Sequence, residues 1–145
     1  MMDLTELRRQ HEEISLTAKQ LMQATANPAH PGQVGAIRWQ LARQLIAHLA
    51  LEDRILYPAL QRSPHADVRD TAARLQNETG ALADAFSTYM AAWSDDRVAR
   101  DWGGFCAETR RILTALTDRI DRENRRLYPL ADAARASASP VRRAG

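Results

Sequence analysis

Residues 45–58 read Leu-Ile-Ala-His-Leu-Ala-Leu-Glu-Asp-Arg-Ile-Leu-Tyr-Pro. Leu45, His48, Glu52 and Ile55 recur at the three- and four-residue intervals of one helix face, so a histidine and a glutamate stand where the pattern calls for apolar side chains. The stretch has an echo in residues 116–129, Leu-Thr-Asp-Arg-Ile-Asp-Arg-Glu-Asn-Arg-Arg-Leu-Tyr-Pro. In register, Glu52 pairs with Glu123, Tyr57-Pro58 with Tyr128-Pro129, and His48 with Arg119. The echo suggests two helical hairpins related by an approximate two-fold axis. Proline lacks a helix-interior donor, so Pro58 is expected to mark a kink or a stop.

Working outward, the first helix is expected from about Asp3 to Ala26, with Asp3 as N-cap and Glu6 at the spacing of a capping box. Its seam is Leu4, Leu7, His11, Ile14, Ala18 and Leu21. After the loop that begins Asn27-Pro-Ala-His, the second helix adds Val34, Ile37 and Leu41 to the seam already quoted. Ser63-Pro64 breaks the chain before a third helix with Val68, Ala72, Leu75, Thr79, Leu82, Phe86 and Trp93 inward, weakened locally by Gly80. Ser94-Asp95-Asp96 is expected to open the fourth, whose seam is Val98, Trp102, Phe105, Ile112, Leu116, Arg119, Glu123, Leu127 and Leu130. Four amphipathic helices with short connections predict an all-α, up-down-up-down antiparallel four-helix bundle. The bundle is expected over residues 1–136 and a flexible tail over 137–145.

The chain has 145 residues, 45% of them hydrophobic, which suits one domain with one core. All but Lys19 of its 20 basic residues are arginine, interspersed with acids for a formal charge of +2. That patterning describes an ion-paired surface and not the basic stripe of a nucleic-acid binder. No apolar run reaches the roughly 20 residues that span a bilayer, and no signal segment is evident, so the expectation is a cytoplasmic protein without membrane contact. The single cysteine, Cys106, leaves no disulfide or multi-cysteine site to build.

Six polar residues, His11, His48, Glu52, Thr79, Arg119 and Glu123, fall on seam positions. Burying an ionised group without a partner is costly, and inward His and Glu from facing helices are how bundles hold metal ions. The run from His48 to Pro58 resembles the second-helix motif of the hemerythrin-like (HHE cation-binding) family, and the resemblance extends over nearly the whole chain. It implies a hemerythrin-like bundle in which His11 matches the first-helix ligand, His48 and Glu52 the second-helix pair, and Glu123 the bridging glutamate of the fourth helix. Two ligand positions depart from the family: the third-helix histidine position falls on Thr79, and the fourth-helix one on Arg119. Both belong to the same iron of the family's two-iron site. Arginine has no lone pair to offer a metal. A full two-iron centre is therefore not expected, and Arg119 is expected to stand electrostatically in place of the missing ion.

Two readings of the cluster stay open at this point. One is a single-metal site on His11, His48, Glu52 and Glu123 that takes iron or zinc; the other is a metal-free network in which Arg119 bridges the carboxylates. The resemblance with its broken half implies a non-catalytic regulatory or sensory module. A metal-free interaction protein, self-associating or bound to a protein partner, is the alternative. A non-haem iron protein handling oxygen, peroxide or nitric oxide is the third reading. His30 and His65, beside prolines, are expected on the surface. Trp39, Trp93, Trp102 and Phe86 suit core or interface, and Tyr57 and Tyr128 the bundle end.

Overall fold

The computed structural model describes residues 3–138, and these contain helices and no strand. The first helix is Leu4–Ala24. The second occupies 35–61, as an α-helix Gly35–Leu51, a π turn Glu52–Leu56 and a closing segment Tyr57–Gln61. The third comes in two pieces, Ala66–Thr79 and Leu82–Ala92. A short helix Asp95–Arg100 precedes the fourth, which spans 102–138 as Trp102–Arg122, a π turn Glu123–Leu127 and Tyr128–Ala138. The expected tail lies, from residue 139 onward, outside the described residues.

Local chemistry explains the boundaries. The Asp3 carboxylate accepts from the Thr5 N–H at 3.0 Å and caps the first helix, while Glu6 turns to Arg9 and Gln10. Ser94 caps the short helix through the Arg97 N–H. Contrary to expectation, Ser94-Asp95-Asp96 does not open the fourth helix. The backbone leaves helical geometry at Asp101, whose carboxylate caps a new start by accepting from the Gly104 N–H at 3.1 Å. A Cβ on Gly104 would meet that carboxylate at 2.4 Å, so any side chain there would displace the cap from its present position. Gly80 marks the break in the third helix: its N–H closes on Gln76 O, and a Cβ would lie 2.4 Å from the same oxygen.

Neither proline stops its helix. Tyr57 N–H bonds to Glu52 O and Tyr128 N–H to Glu123 O, five residues back in each case. Pro58 and Pro129 cannot donate to the carbonyl four residues earlier and would press against it. A widened turn just ahead of the ring accommodates both problems, and the helix continues. The extra residue in the turn also rotates the downstream side chains about the helix axis, so Leu56 is buried and Ile55, expected inward, is exposed.

The core consists of two apolar clusters. One joins Leu4 and Leu7, Leu56, Tyr57 and Leu60, Val68, Ala72 and Leu75, and Leu127, Tyr128 and Ala131. These come from the start of the first helix, the end of the second, the start of the third and the end of the fourth, which is the up-down-up-down arrangement. The other cluster joins the opposite ends, including Leu21, Leu41, Leu45, Phe86, Trp93, Phe105 and Leu116. Trp102 donates its indole N–H to Asn27 O at 3.0 Å and ties down the first connection. Trp39, unlike the other two tryptophans, is exposed. No described helix is long and apolar enough to cross a membrane.

Leu45 is fully buried in the second cluster. Leu45→Ala is expected to cost about 2–5 kcal/mol, read by urea unfolding followed by circular dichroism. A loss below about 1 kcal/mol would mean that the site collapses around the deletion and that the cluster is not tightly packed.

Candidate metal centre

Between the two apolar clusters lies a layer of buried polar groups. His11 comes from the first helix, His48 and Glu52 from the second, and Arg119 and Glu123 from the fourth, and all five are at most 2% exposed. The helical spacing that placed them in the seams brings them to one level. One ligand atom from each of His11, His48, Glu52 and Glu123 lies within 4.8 Å of the others. Each glutamate is the first residue of a π turn, the widened geometry often found at functional sites.

The imidazoles are oriented from behind. His11 Nδ1 lies 2.7 Å from the Asn124 side-chain oxygen, and His48 Nδ1 lies 2.7 Å from that of Gln10. Amide oxygens only accept, so each Nδ1 carries the hydrogen and each Nε2 faces inward. This is the arrangement that orients a metal-ligating histidine. Inside, His48 Nε2 is 3.2 Å from Glu52 Oε1 and His11 Nε2 is 3.1 Å from Glu123 Oε1. Closeness does not give these contacts hydrogen-bond direction: His48 Nε2 and Glu123 Oε1 remain buried without a hydrogen-bond partner. Buried polar groups are ordinarily satisfied, and two orphaned donor atoms inside a set of two imidazoles and two carboxylates fit one iron or zinc ion.

Two tyrosines cross the site. Tyr57 donates to Glu123 Oε2 at 2.7 Å and Tyr128 to Glu52 Oε2 at 2.5 Å, so each hairpin's tyrosine holds the other hairpin's carboxylate. The Tyr128 ring also stacks on His11, with centroids 5.0 Å apart. The echoed Tyr-Pro steps thus have a role at the site as well as at the bundle end. Burial and the neighbouring carboxylates push both phenols far above their ordinary range, so both remain donors.

The opposite side of the layer is filled by Arg119. Its Nε bonds Glu123 Oε2 at 3.1 Å, one Nη bonds Glu52 Oε1 at 3.2 Å and Asp53 Oδ1 at 2.7 Å, and the other Nη bonds the Thr79 carbonyl at 3.3 Å. Thr79 contributes only that carbonyl, because its hydroxyl turns back to Leu75 O. Burial lowers the His11 pKa, but contact with Glu123 and Glu52 outweighs it and raises the value to about 9. A proton on His11 therefore competes with any ion for the same lone pair. Burial raises both carboxyls; at Glu52 the imidazoles and Arg119 reverse the effect, whereas Glu123 ends above the usual range, with the Glu52 charge adding to the rise.

His30 and His65 are exposed and belong to none of these contacts. Sequence periodicity missed Asp53, Gln10 and Asn124, all outside the seams. The echo carried a signal for two of them, since it pairs Asp53 with Asn124, and both hold a site residue from behind.

Residues 2–131 match the family model described as the Hemerythrin HHE cation binding domain. Neither the curated proteins nor the solved structures contain a match.

Removing the guanidinium should leave Glu52, Glu123 and Asp53 facing one another. Arg119→Met in chelator-treated protein is expected to lose about 3–5 kcal/mol in urea unfolding. Tyr57→Phe, which strips one hydrogen bond from Glu123, should lose about 1–3 kcal/mol. An Arg119 variant as stable as the parent would show that the carboxylates are neutralised by other means.

Proposed function

The chain belongs to the hemerythrin HHE cation-binding domain family, and from that premise we propose that it is a non-catalytic regulatory or sensory module holding one metal ion, iron or zinc, on His11, His48, Glu52 and Glu123. The observation that carries this reading is the pair of orphaned donors, His48 Nε2 and Glu123 Oε1, converging with His11 and Glu52 in one buried set. Arg119 occupies the other side of the two carboxylates, which supports one ion instead of two. A bound ion supplies concentrated positive charge there, and iron would add a redox response.

The chain's own residues account for retention more readily than for turnover. The ligands are enclosed by the helices, the Nδ1 hydrogen bonds fix the rings, and the tyrosines pin one oxygen of each carboxylate. Such a centre responds to the presence or state of its ion by tightening or loosening contacts among three helices. A metal-free interaction module remains the second reading, favoured by the guanidinium that already bridges Glu52 and Glu123.

Elemental analysis of untagged protein from iron- and zinc-replete cells, with an ultraviolet-visible spectrum, distinguishes the two. One ion per chain, lost in His48→Ala, is the expected result; a chain that carries none is the metal-free module. The double variant Thr79→His/Arg119→His is expected to take up a second ion and gain two-iron absorbance. A folded double variant that gains neither would count against placing residues 79 and 119 at the second ion's ligand positions.

A further inference from the structure

The fixed charges around the centre can be counted. Among the described residues, Glu52, Glu123 and Asp53 are the carboxylates in hydrogen-bond contact with Arg119, and Arg119 is the one guanidinium in the layer. With the imidazoles acting as neutral ligands and the tyrosines as donors, three negative charges and one positive leave the frame at minus two. The neighbouring ions do not change the sum inside. Arg122 pairs with Glu78 and Asp118, and Arg8 with Asp132; each of these side chains is more exposed than Asp53, and none of them bonds Arg119 or either carboxylate ligand.

An arginine charge does not titrate away, so with both imidazoles ligating through a lone pair Arg119 keeps its positive charge in the frame whichever ion binds. A divalent ion would bring the layer to neutrality, whereas a trivalent ion would leave one uncompensated positive charge beside ligands that are at most 2% exposed and flanked by apolar clusters. Uncompensated buried charge is strongly disfavoured. Asp53 matters as much as Arg119 in this count. It lies outside the ligand set, yet it bonds the guanidinium at 2.7 Å and supplies the third negative charge.

Resting on the single-ion reading, we infer that the chain selects a divalent cation and holds bound iron in the ferrous state, with Arg119 and Asp53 as the residues that set this specificity. Neither is a ligand: Arg119 acts through the two carboxylate ligands, and Asp53 through Arg119. Their substitution should therefore move the preferred valence in predictable and opposite directions. Arg119→Gln takes the frame to minus three and matches a trivalent ion. Asp53→Asn takes it to minus one and weakens divalent binding. The pair together restores minus two.

The test loads each purified protein with ferrous ion under anaerobic conditions, measures iron per chain, and then titrates with ferricyanide. Each ion oxidised passes one electron to ferricyanide, giving ferrocyanide and a ferric ion seen by electron paramagnetic resonance. Wild type is expected to hold one ion and resist a ferricyanide excess that converts Arg119→Gln to the ferric form. Arg119→Lys, which keeps the charge, and the double variant Arg119→Gln/Asp53→Asn should resist as wild type does. General damage to the site would not be repaired by a second substitution, so the double variant separates charge from structure. Should Arg119→Gln fail to fold, Asp53→Asn at its part-exposed position gives an independent reading. Its zinc affinity should fall about 10- to 100-fold, and an unchanged affinity overturns the inference. Oxidation of wild type as easily as Arg119→Gln, or of the double variant as easily as the single, also overturns it while leaving the single-ion reading intact. A wild type that binds no ion at all overturns both.

Discussion

Two carboxylates buried across from one another govern this structure. Glu52 and Glu123 are almost wholly removed from solvent in a layer between two apolar clusters. Ionised carboxylates in such a place need compensating charge and hydrogen bonds on most of their lone pairs. Nearly every polar group at that level meets the need. Tyr57 and Tyr128 donate from one direction and Arg119 from another, while His11 faces Glu123 Oε1 and His48 faces the Glu52 Oε1 that Arg119 also bonds. The π turns that begin at these glutamates and the proline steps beyond them belong to the same arrangement, since they set where the tyrosine leaves its helix.

The echo between the second and fourth helices gives the layer an approximate two-fold character, and its departures from symmetry are the informative part. Both halves present a glutamate, a π turn and a tyrosine reaching across. They differ in the residue one turn before the glutamate: His48 leaves an inward nitrogen unpartnered, whereas Arg119 spends its nitrogens on Glu123, Glu52, Asp53 and the Thr79 carbonyl. The same scaffold thus presents open donor atoms on one side and a completed ion network on the other. On the proposed reading, the open side takes the ion and the completed side does the electrostatic work that a second ion would otherwise do.

Such a centre is coupled to the fold by construction. Its ligands come from three helices, and their supports, Gln10, Asn124 and the two tyrosines, cross between helices instead of lying beside the ligands they hold. On the proposed reading, a change in the ion would alter contacts between the first, second and fourth helices together, which is the physical basis for proposing the domain as a sensor. The carbonyl of Thr79, next to the Gly80 break, brings the third helix into the same network through Arg119.

The four helices, their up-and-down order and the convergence of His11, His48, Glu52, Arg119 and Glu123 were legible in the amino-acid pattern. Helical period alone puts those residues on inward faces, and packing inward faces brings them together. That Arg119 offers a metal no lone pair also followed from residue type, because arginine cannot ligate a metal at any pH. What periodicity could not supply was decided by contacts between distant segments and by backbone departures from a constant period. The π turn moved Leu56 inward and Ile55 out, Asp101 with Gly104 divided the expected fourth helix, and Thr79 turned its hydroxyl to its own backbone. Asp53, Gln10 and Asn124 lie off the inward seams, so a period that scores inward faces passes over them. Their roles exist only once the bundle has closed and placed a carboxylate or an amide within reach of a guanidinium or a ring from another helix.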